Sequence, residues 1–245
     1  MHVLDNPAWS ALTGPQRAHG VVVGAAACYA PDVSAFGAFA HEPGPADWAA
    51  MAELVGTGSV VITTGYTGAP PGEWDVEYDG VGVQMTGEVI GRDLPPVIPA
   101  GIDVVMLGPG DAADMLELVA LTRPGPFAPR TYELGGYVGI RREGRLVSMA
   151  GERMRPVGWT EISAVATHPD HRRQGLGELL VRTVAAGIVT RGETPMLHAA
   201  ADNTVAIRLY QAMGFTVRRR TRFVAARAPG TPPTGPPALT LPPHG

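Results

Sequence analysis

The sequence predicts an α/β fold of the α+β kind, in which a central sheet is flanked by helices and preceded by a smaller α+β domain. A hairpin pattern surrounds residues 142–144, apolar residues recur at helical spacing over 176–189, and the proline-rich segment 94–101 (LPPVIPAG) interrupts both periodicities. Three regions are therefore expected: an N-terminal domain over 1–100, a second domain over 101–228 and a disordered proline-rich tail over 229–245.

The first hundred residues contain two helix patterns and two strand patterns. Asn6-Pro7 is typical of a helix start, with a cap followed by proline at the first helical position. Residues 45–55 (PADWAAMAELV) repeat their large apolar side chains on one helical face. The short apolar runs Val21–Val23 and Val60–Ile62 predict strands bounded by glycine.

The remaining chain alternates strands and helices in a fixed order. A strand over 103–107 precedes a helix capped by Asp111 or Asp114, and a hairpin and a third strand follow. A loop then leads to a helix, a strand, a helix and a last strand. In order from the hairpin, these elements are predicted at 136–141, 145–154, 160–167, 176–189, 196–200, 204–213 and 215–224.

Length, cysteine use and the start of the chain define the general class of protein. At 245 residues and 45% hydrophobic content, the chain can bury a sizeable core. The single cysteine, Cys28, excludes an intramolecular disulfide and favours a reducing compartment, and no residue cluster has metal-ligand spacing. The N-terminus lacks a signal-peptide pattern and no apolar run would span a membrane, so a cytoplasmic protein is expected. The absence of lysine among 19 basic residues indicates a GC-rich, bacterial source.

The segment from His168 to Gly177 (HPDHRRQGLG) is the most informative part of the chain. A strand is predicted to end at Thr167 and a helix to begin at Leu176, so the segment turns between them. Glycine lets backbone N–H groups approach a ligand, and a helix N-terminus adds unpaired donors. With the charges of Arg172 and Arg173, the segment suits a phosphate or pyrophosphate, although the same residues also occur in ordinary turns.

Two motifs in this half of the chain resemble those of the GNAT superfamily of acyl-CoA-dependent N-acyltransferases. Arg172-x-x-Gly175-x-Gly177 is similar to the family's Arg/Gln-x-x-Gly-x-Gly/Ala signature. Residues 203–215 (NTVAIRLYQAMGF) resemble its Asn-to-Leu-Tyr-x-x-x-Gly-Phe helix. The resemblance covers about residues 102–225 and implies a mixed, largely antiparallel central sheet. It leaves residues 1–100 unexplained, and a degenerate second copy of the fold is one hypothesis for them.

The resemblance implies acetyl-CoA as co-substrate and assigns its binding residues. Backbone N–H groups from Arg173 to Gly177 would hold the pyrophosphate, and the strand end from Val165 to Thr167 would pair with the pantetheine amides. The implied binding residues are Val165, Ala166, Thr167, Arg172, Arg173, Gln174, Gly175, Leu176, Gly177, Asn203 and Tyr210.

Tyr210 and Asn203 have structural as well as functional interpretations. The resemblance implies that the Tyr210 hydroxyl protonates the leaving thiolate, and the alternative is an aromatic side chain packed in the core. Asn203 lies seven residues earlier, nearly two helical turns, and therefore on the same face. It is also a candidate N-cap, and the two roles are compatible.

Glu161 is the first candidate for the base that deprotonates the amine, directly or through water. The resemblance implies a carboxylate on this strand, and a bulge near Ala164 would change which side chains share a face. The alternatives are Glu152, His198, water, or a purely structural role for Glu161.

Together these residues predict an N-acetyltransferase that moves an acetyl group from acetyl-CoA to a primary amine in a direct ternary complex. Cys28 lies far from the motifs, which disfavours a covalent acyl-enzyme. The alternative is a non-catalytic acyl-CoA-binding regulatory or scaffold protein. We expect a monomer or homodimer that needs no metal and contacts neither nucleic acid nor membrane.

Charge is divided unevenly along the chain. Residues 1–120 hold 15 acidic residues and 2 arginines, a net charge of −13, whereas residues 121–245 hold 17 arginines and 8 acidic residues, a net charge of +9. The basic half can hold phosphates, and the acidic half can dock against it or attract a cationic amine. The run from Arg218 to Arg222 predicts a solvated basic strand or a contact with an acidic surface. The division predicts a salt-sensitive contact between the halves.

Overall fold

The structure, a computed structural model, describes residues 2–90 and 95–231. Its helices are α1 Pro7–Leu12, α2 Pro45–Val55, α3 Ala112–Thr122, α4 Leu176–Thr190 and α5 Thr204–Ala212. Its strands are β1 Gly20–Val23, β2 Ala26–Tyr29, β3 Gly37–Phe39, β4 Val60–Thr64, β5 Asp75–Thr86, β6 Val104–Leu107, β7 Tyr137–Arg142, β8 Arg145–Glu152, β9 Trp159–Thr167, β10 Thr194–Ala200 and β11 Thr216–Arg227.

The main sheet has eight strands in the order β4-β11-β5-β10-β9-β8-β7-β6. Neighbouring strands are antiparallel except β9 and β10, which run parallel. A separate sheet, β1-β2-β3, packs with α1 and α2. The predicted α+β class with a largely antiparallel, helix-flanked sheet is confirmed.

The main sheet contains strands from both sides of the predicted boundary at residues 94–101. β5 pairs with β10 and β11, and β4 pairs with β11, although β4 and β5 belong to the first hundred residues. The division at residue 100 therefore does not separate two sheets. β4 and β5 join the main sheet by pairing with strands that are distant in sequence, and local hydrophobic patterns do not encode such pairing. Most of the predicted tail, residues 232–245, lies outside the described residues.

Helices cover both faces of the main sheet near its middle. The apolar face of α4, including Leu180, Val184 and Ile188, packs with Ala150 of β8 and with neighbouring strands. On the other face, α3 packs against Met149 of β8. Because successive strand residues point to opposite faces, the two adjacent β8 residues belong to different cores. No helix in the described ranges is long and apolar enough to cross a membrane.

Ion pairs join the acidic first half to the basic second half. Their side chains are between about a quarter and a half exposed. The pairs are Asp5–Arg218 at 2.6 Å, Asp79–Arg222 at 2.7 Å, Asp32–Arg130 at 2.9 Å, and Glu77–Arg227. The predicted contact between the halves is confirmed, and acidic residues of the same chain pair with much of the basic strand β11. Its salt sensitivity remains a prediction.

Candidate active site

Strands β9 and β10 separate part-way along their length. Their parallel pairing joins residues 159–162 to residues 194–197 and ends there. Between the pairs Ser163–Gly151 and Ala166–Met149, β9 advances by three residues and β8 by two, and Ala164 has a left-handed φ of +52°. This geometry is a β-bulge, at the position near Ala164 where one was considered from the sequence. Beyond it, the strand end at 165–167 faces an opening between the two strands.

A cavity of about 970 Å³ occupies this opening. It extends from the turn before α4, past the ends of β9 and β10, to side chains of β4 and β11. Nine of the residues predicted from sequence line it: Val165, Thr167, Arg172, Arg173, Gly175, Leu176, Gly177, Asn203 and Tyr210. Ala166, Gln174 and Glu161 belong to the same segments but do not line the cavity.

The turn before α4 presents a row of unpaired backbone donors. The N–H groups from Arg173 to Gly177 have no hydrogen-bond partner among the described residues. Gly175 precedes the helix with a φ of +74°, a conformation that glycine adopts without strain. The side chains of Arg172 and Arg173 are exposed beside these donors. The turn therefore combines donors, positive charge and a helix N-terminus, as an anion site requires.

Tyr210 lies on α5 and Asn203 lies at the start of that helix. Both residues line the cavity. The Tyr210 ring packs against Phe215, with ring centroids 6.0 Å apart, and its hydroxyl has no hydrogen bond to a described residue. Burial raises the pKa of Tyr210 to about 12, so the hydroxyl is protonated at neutral pH. Asn203 is the N-cap, since its side-chain oxygen accepts from the Ala206 N–H at 3.1 Å. The Tyr210 side chain thus packs in the core and also lines the cavity.

Glu161 is fully buried, and both of its carboxylate oxygens have partners. Arg153 donates to them from Nε at 2.9 Å and from Nη2 at 2.7 Å, while Nδ1 of His198 lies 2.8 Å from Oε1. Burial alone would raise the pKa of Glu161, but the Arg153 guanidinium and the His198 hydrogen bond hold it well below its usual range. The expectation that Glu161 accepts a proton directly from an amine does not fit this geometry, because its side chain lies behind Arg153 and His198.

His198 is the base candidate that lines the cavity, and Gln84 fixes its tautomer. The amide nitrogen of Gln84 donates to the Leu4 carbonyl at 2.8 Å, and its oxygen accepts from Arg218 at 2.8 Å, so the amide orientation is determined. The same nitrogen lies 3.1 Å from Nε2 of His198, which must accept. Nδ1 of His198 consequently carries the proton and donates to Glu161.

Glu152, the other carboxylate considered, faces away from the cavity. It is buried and pairs with Arg191 at 2.9 Å on the far side of β8. Among the described residues, no group of three or more His, Cys, Asp or Glu side chains is arranged to hold a metal ion.

One end of the cavity is walled by side chains that, His198 apart, the sequence motifs did not indicate. We call this end the inner chamber and define it by Phe36, Ile62, Tyr78, Arg153, His198 and Phe223. Three of these residues belong to the first hundred, so both halves of the chain build the site. Arg153 follows strand β8 and its backbone N–H donates to the Glu161 carbonyl across the hairpin at 3.0 Å, but Glu152 and Arg155 are also charged, so the sequence alone does not single Arg153 out.

Comparison with known proteins agrees with this geometry. A family model described as FR47-like protein matches residues 137–224. A GNAT-family acetyltransferase structure from Novosphingobium aromaticivorans, itself described as putative, is 35% identical and has a TM-score of 0.83, with 94% of this chain and 100% of that chain covered. The chain belongs to the GNAT family. The FR47-like match spans the hairpin, the donor turn and α5.

Two further acetyltransferases match more distantly. A mycothiol acetyltransferase from Mycolicibacterium paratuberculosis is 30% identical over 158 residues, which cover 51% of this chain. The chain spans about half the length of this curated relative. A GCN5-related N-acetyltransferase from Kribbella flavida is 22% identical, with a TM-score of 0.60 and coverage of 91% and 95% of the two chains, and it supports the fold alone.

Proposed function

We propose that this chain transfers an acetyl group from acetyl-CoA to a primary amine in a direct ternary complex. One N–C bond forms, one C–S bond breaks, the amine loses a proton and the thiolate gains one. The observation that carries the proposal is one cavity that joins the donor turn, the end of β9 that has left β10, and Tyr210. Holding both reactants in one cavity supplies the alignment that the reaction needs.

The donor turn would bind the pyrophosphate of acetyl-CoA. Five consecutive N–H groups, from Arg173 to Gly177, have no acceptor within residues 2–90 and 95–231, and the side chains of Arg172 and Arg173 add positive charge. The backbone from Val165 to Thr167, where β9 has left β10, would hydrogen-bond the pantetheine arm as an added strand would. The N–H at Val165 is the candidate donor for the thioester carbonyl.

Tyr210 would act as the general acid. Its hydroxyl is protonated and has no partner in the part of the chain that the structure describes, so it is ready to donate to a thiolate in the cavity as the C–S bond breaks. Asn203 is the N-cap of the same helix, so it fixes the start of α5 and thereby the position of Tyr210.

Glu161 would act as a positioning residue rather than as the base. It holds Arg153 and His198 in place, and its pKa lies too low for it to retain a proton received from an amine. Both ring nitrogens of His198 are also engaged. The amine would therefore react from its neutral fraction, with its proton released to solvent.

Steady-state thiol release, measured over a panel of primary amines, tests the proposed function. The assay suits this chain because Cys28 is buried and burial raises its pKa to about 11, so the background from the protein thiol is low. We expect amine-dependent release of CoA and an acetylated product of the corresponding mass. Binding of acetyl-CoA without release for any amine would favour the alternative, a non-catalytic acyl-CoA-binding protein.

The proposal retains the other expectations drawn from the sequence. They are a cytoplasmic bacterial enzyme that uses no metal, acts as a monomer or homodimer, and binds neither nucleic acid nor membrane. Size-exclusion chromatography with light scattering distinguishes the two oligomeric states.

A further inference from the structure

The walls of the inner chamber are largely aromatic. The Arg153 guanidinium lies 4.6 Å from the centre of the Phe36 ring, and the rings of His198 and Phe223 meet edge to face at 5.3 Å. Ile62 and Tyr78 complete the wall. Such surfaces bind apolar and aromatic groups by excluding water, with ring contacts that add to the effect. The part of an acceptor that occupies this chamber should therefore be aromatic or bulky and apolar.

One polar atom in the chamber is unused. Arg153 is nine-tenths buried and lines the cavity, and Nε and Nη2 bind Glu161, whereas Nη1 has no hydrogen-bond partner among the described residues. A guanidinium nitrogen is a donor only, so it requires an acceptor atom such as oxygen. Because Glu161 already balances the charge of Arg153, a neutral carbonyl oxygen suits Nη1 better than a second carboxylate.

The side chains nearest the chamber leave little capacity to remove a proton from an ammonium group. Both oxygens of Glu161 and both ring nitrogens of His198 are engaged in hydrogen bonds. The neutral fraction of the free amine then controls the rate. At pH 7.5 about a third of a peptide α-amine is neutral, but only about 0.1% of a lysine-like amine. An amine beside a carbonyl therefore has an advantage of two orders of magnitude.

We propose that the acceptor is an α-amine adjacent to a carbonyl, carried on an aromatic or bulky apolar side chain, with the carbonyl oxygen bound by Nη1 of Arg153. Amino-acid amides and the N-terminal residues of short peptides share this chemistry. The inference rests on the proposed function and specifies its second substrate.

Initial rates with matched amines test the inference in the full-length protein. The probes are L-phenylalaninamide, a phenylalanyl-glycinamide dipeptide, L-phenylalanine, 2-phenylethylamine and spermidine. At pH 7.5 we expect kcat/KM for L-phenylalaninamide to exceed that for 2-phenylethylamine, which has the same ring, by about 1000-fold: about 100-fold from the neutral fraction and about tenfold from the carbonyl contact. L-Phenylalanine should be slower, since its carboxylate adds an anion beside Glu161. The dipeptide amide distinguishes a peptide source from a small amide, and activity with either compound supports the inference.

The variant R153K separates the carbonyl contact from the effect of amine pKa. Lysine retains the positive charge beside Glu161 but lacks Nη1. We expect KM for L-phenylalaninamide to rise about tenfold more than KM for 2-phenylethylamine, which meets the same chamber wall but has no carbonyl. If R153K does not fold, rates of the wild-type protein measured at several pH values and expressed per neutral amine give the same information. A preference of about tenfold for the amide should then remain.

The outcomes distinguish this inference from the proposed function. If spermidine or 2-phenylethylamine is acetylated as fast as L-phenylalaninamide, the chain is an acetyltransferase and the inference is wrong. An equal rise in KM for both phenyl amines in R153K would also contradict it. If acetyl-CoA binds and no amine is acetylated, the proposed function itself fails.

Discussion

The buried ion pair between Arg153 and Glu161 gives the sharpest prediction for stability. Glu161 is fully buried and Arg153 is 9% exposed, so replacing the carboxylate by an amide in E161Q leaves a buried guanidinium without its counter-charge. Removing one partner of such a pair costs about 3–5 kcal/mol of unfolding free energy. For a chain of this size the loss corresponds to a decrease in Tm of roughly 6–20 °C.

Urea unfolding at pH 7, followed by tryptophan fluorescence, measures this effect. The matched control is E178Q, because Glu178 pairs with Arg182 and both side chains are partly exposed, at 41% and 24%. Exposed pairs contribute less than about 1 kcal/mol, so this control should unfold close to wild type. If E161Q also stayed within about 1 kcal/mol of wild type, Arg153 would not depend on Glu161 and the reasoning would be refuted.

The same pair predicts how the difference in unfolding free energy between E161Q and wild type varies with pH. A carboxyl group whose pKa is lowered by folding stabilises the protein above its unfolded pKa, near 4.5, and this contribution is lost as the pH falls toward the folded pKa. The difference in unfolding free energy should therefore be constant from pH 8 to about pH 5.5 and should narrow below pH 4.5. A difference that grew on acidification would contradict the lowered pKa of Glu161.

Three further predictions concern the cavity and the contact between the halves. Y210F should lower kcat by about 100-fold with KM for acetyl-CoA nearly unchanged, because the variant loses only the donated proton; a variant as fast as wild type would assign Tyr210 to the core. G175E should abolish acetyl-CoA binding in calorimetry by placing a negative charge beside the free donors, whereas G175A, which adds only backbone strain, should retain measurable binding; unchanged affinity in G175E would exclude the turn as the phosphate site. D79N should lower the unfolding free energy by less than about 1 kcal/mol through loss of its pair with Arg222, and 1 M NaCl should remove that difference; a difference that persisted in salt would show that screening does not govern the contact.

The local elements were predictable because their signals are local. Helix α2 spans the predicted residues, and α4 begins at Leu176 as its apolar periodicity indicates. Strand β5 was missed because Gly80 and Gly82 interrupt its pattern as turn residues do. At Gly82 a side chain would collide with the Phe223 ring, since an added Cβ would lie 2.7 Å from it. The glycine therefore reflects a close approach between β5 and β11, which only the folded pairing reveals.

The candidate site likewise has one part that the sequence indicates and another part that it does not. The donor turn, Asn203 and Tyr210 belong to contiguous motifs, so their placement around one cavity could be anticipated. The inner chamber could not, because Phe36, Arg153 and Phe223 come from distant segments that carry no shared pattern. The resemblance to the family's strand indicated Glu161, but its partners Arg153 and His198 determine its chemistry, and these contacts are tertiary.

The position of β5 in the middle of the sheet has a consequence for synthesis on the ribosome. β5 ends at Thr86, and its neighbour β11 begins at Thr216, 130 residues later. At about 5–20 residues added per second, β11 begins to be synthesised roughly 6–26 s after β5 is complete. Until β10 (Thr194–Ala200) is made, both edges of β5 can pair with other chains, and one edge stays open until β11 follows. We expect the yield of native protein to depend on chaperone capacity and to fall when translation is slowed between β5 and β11.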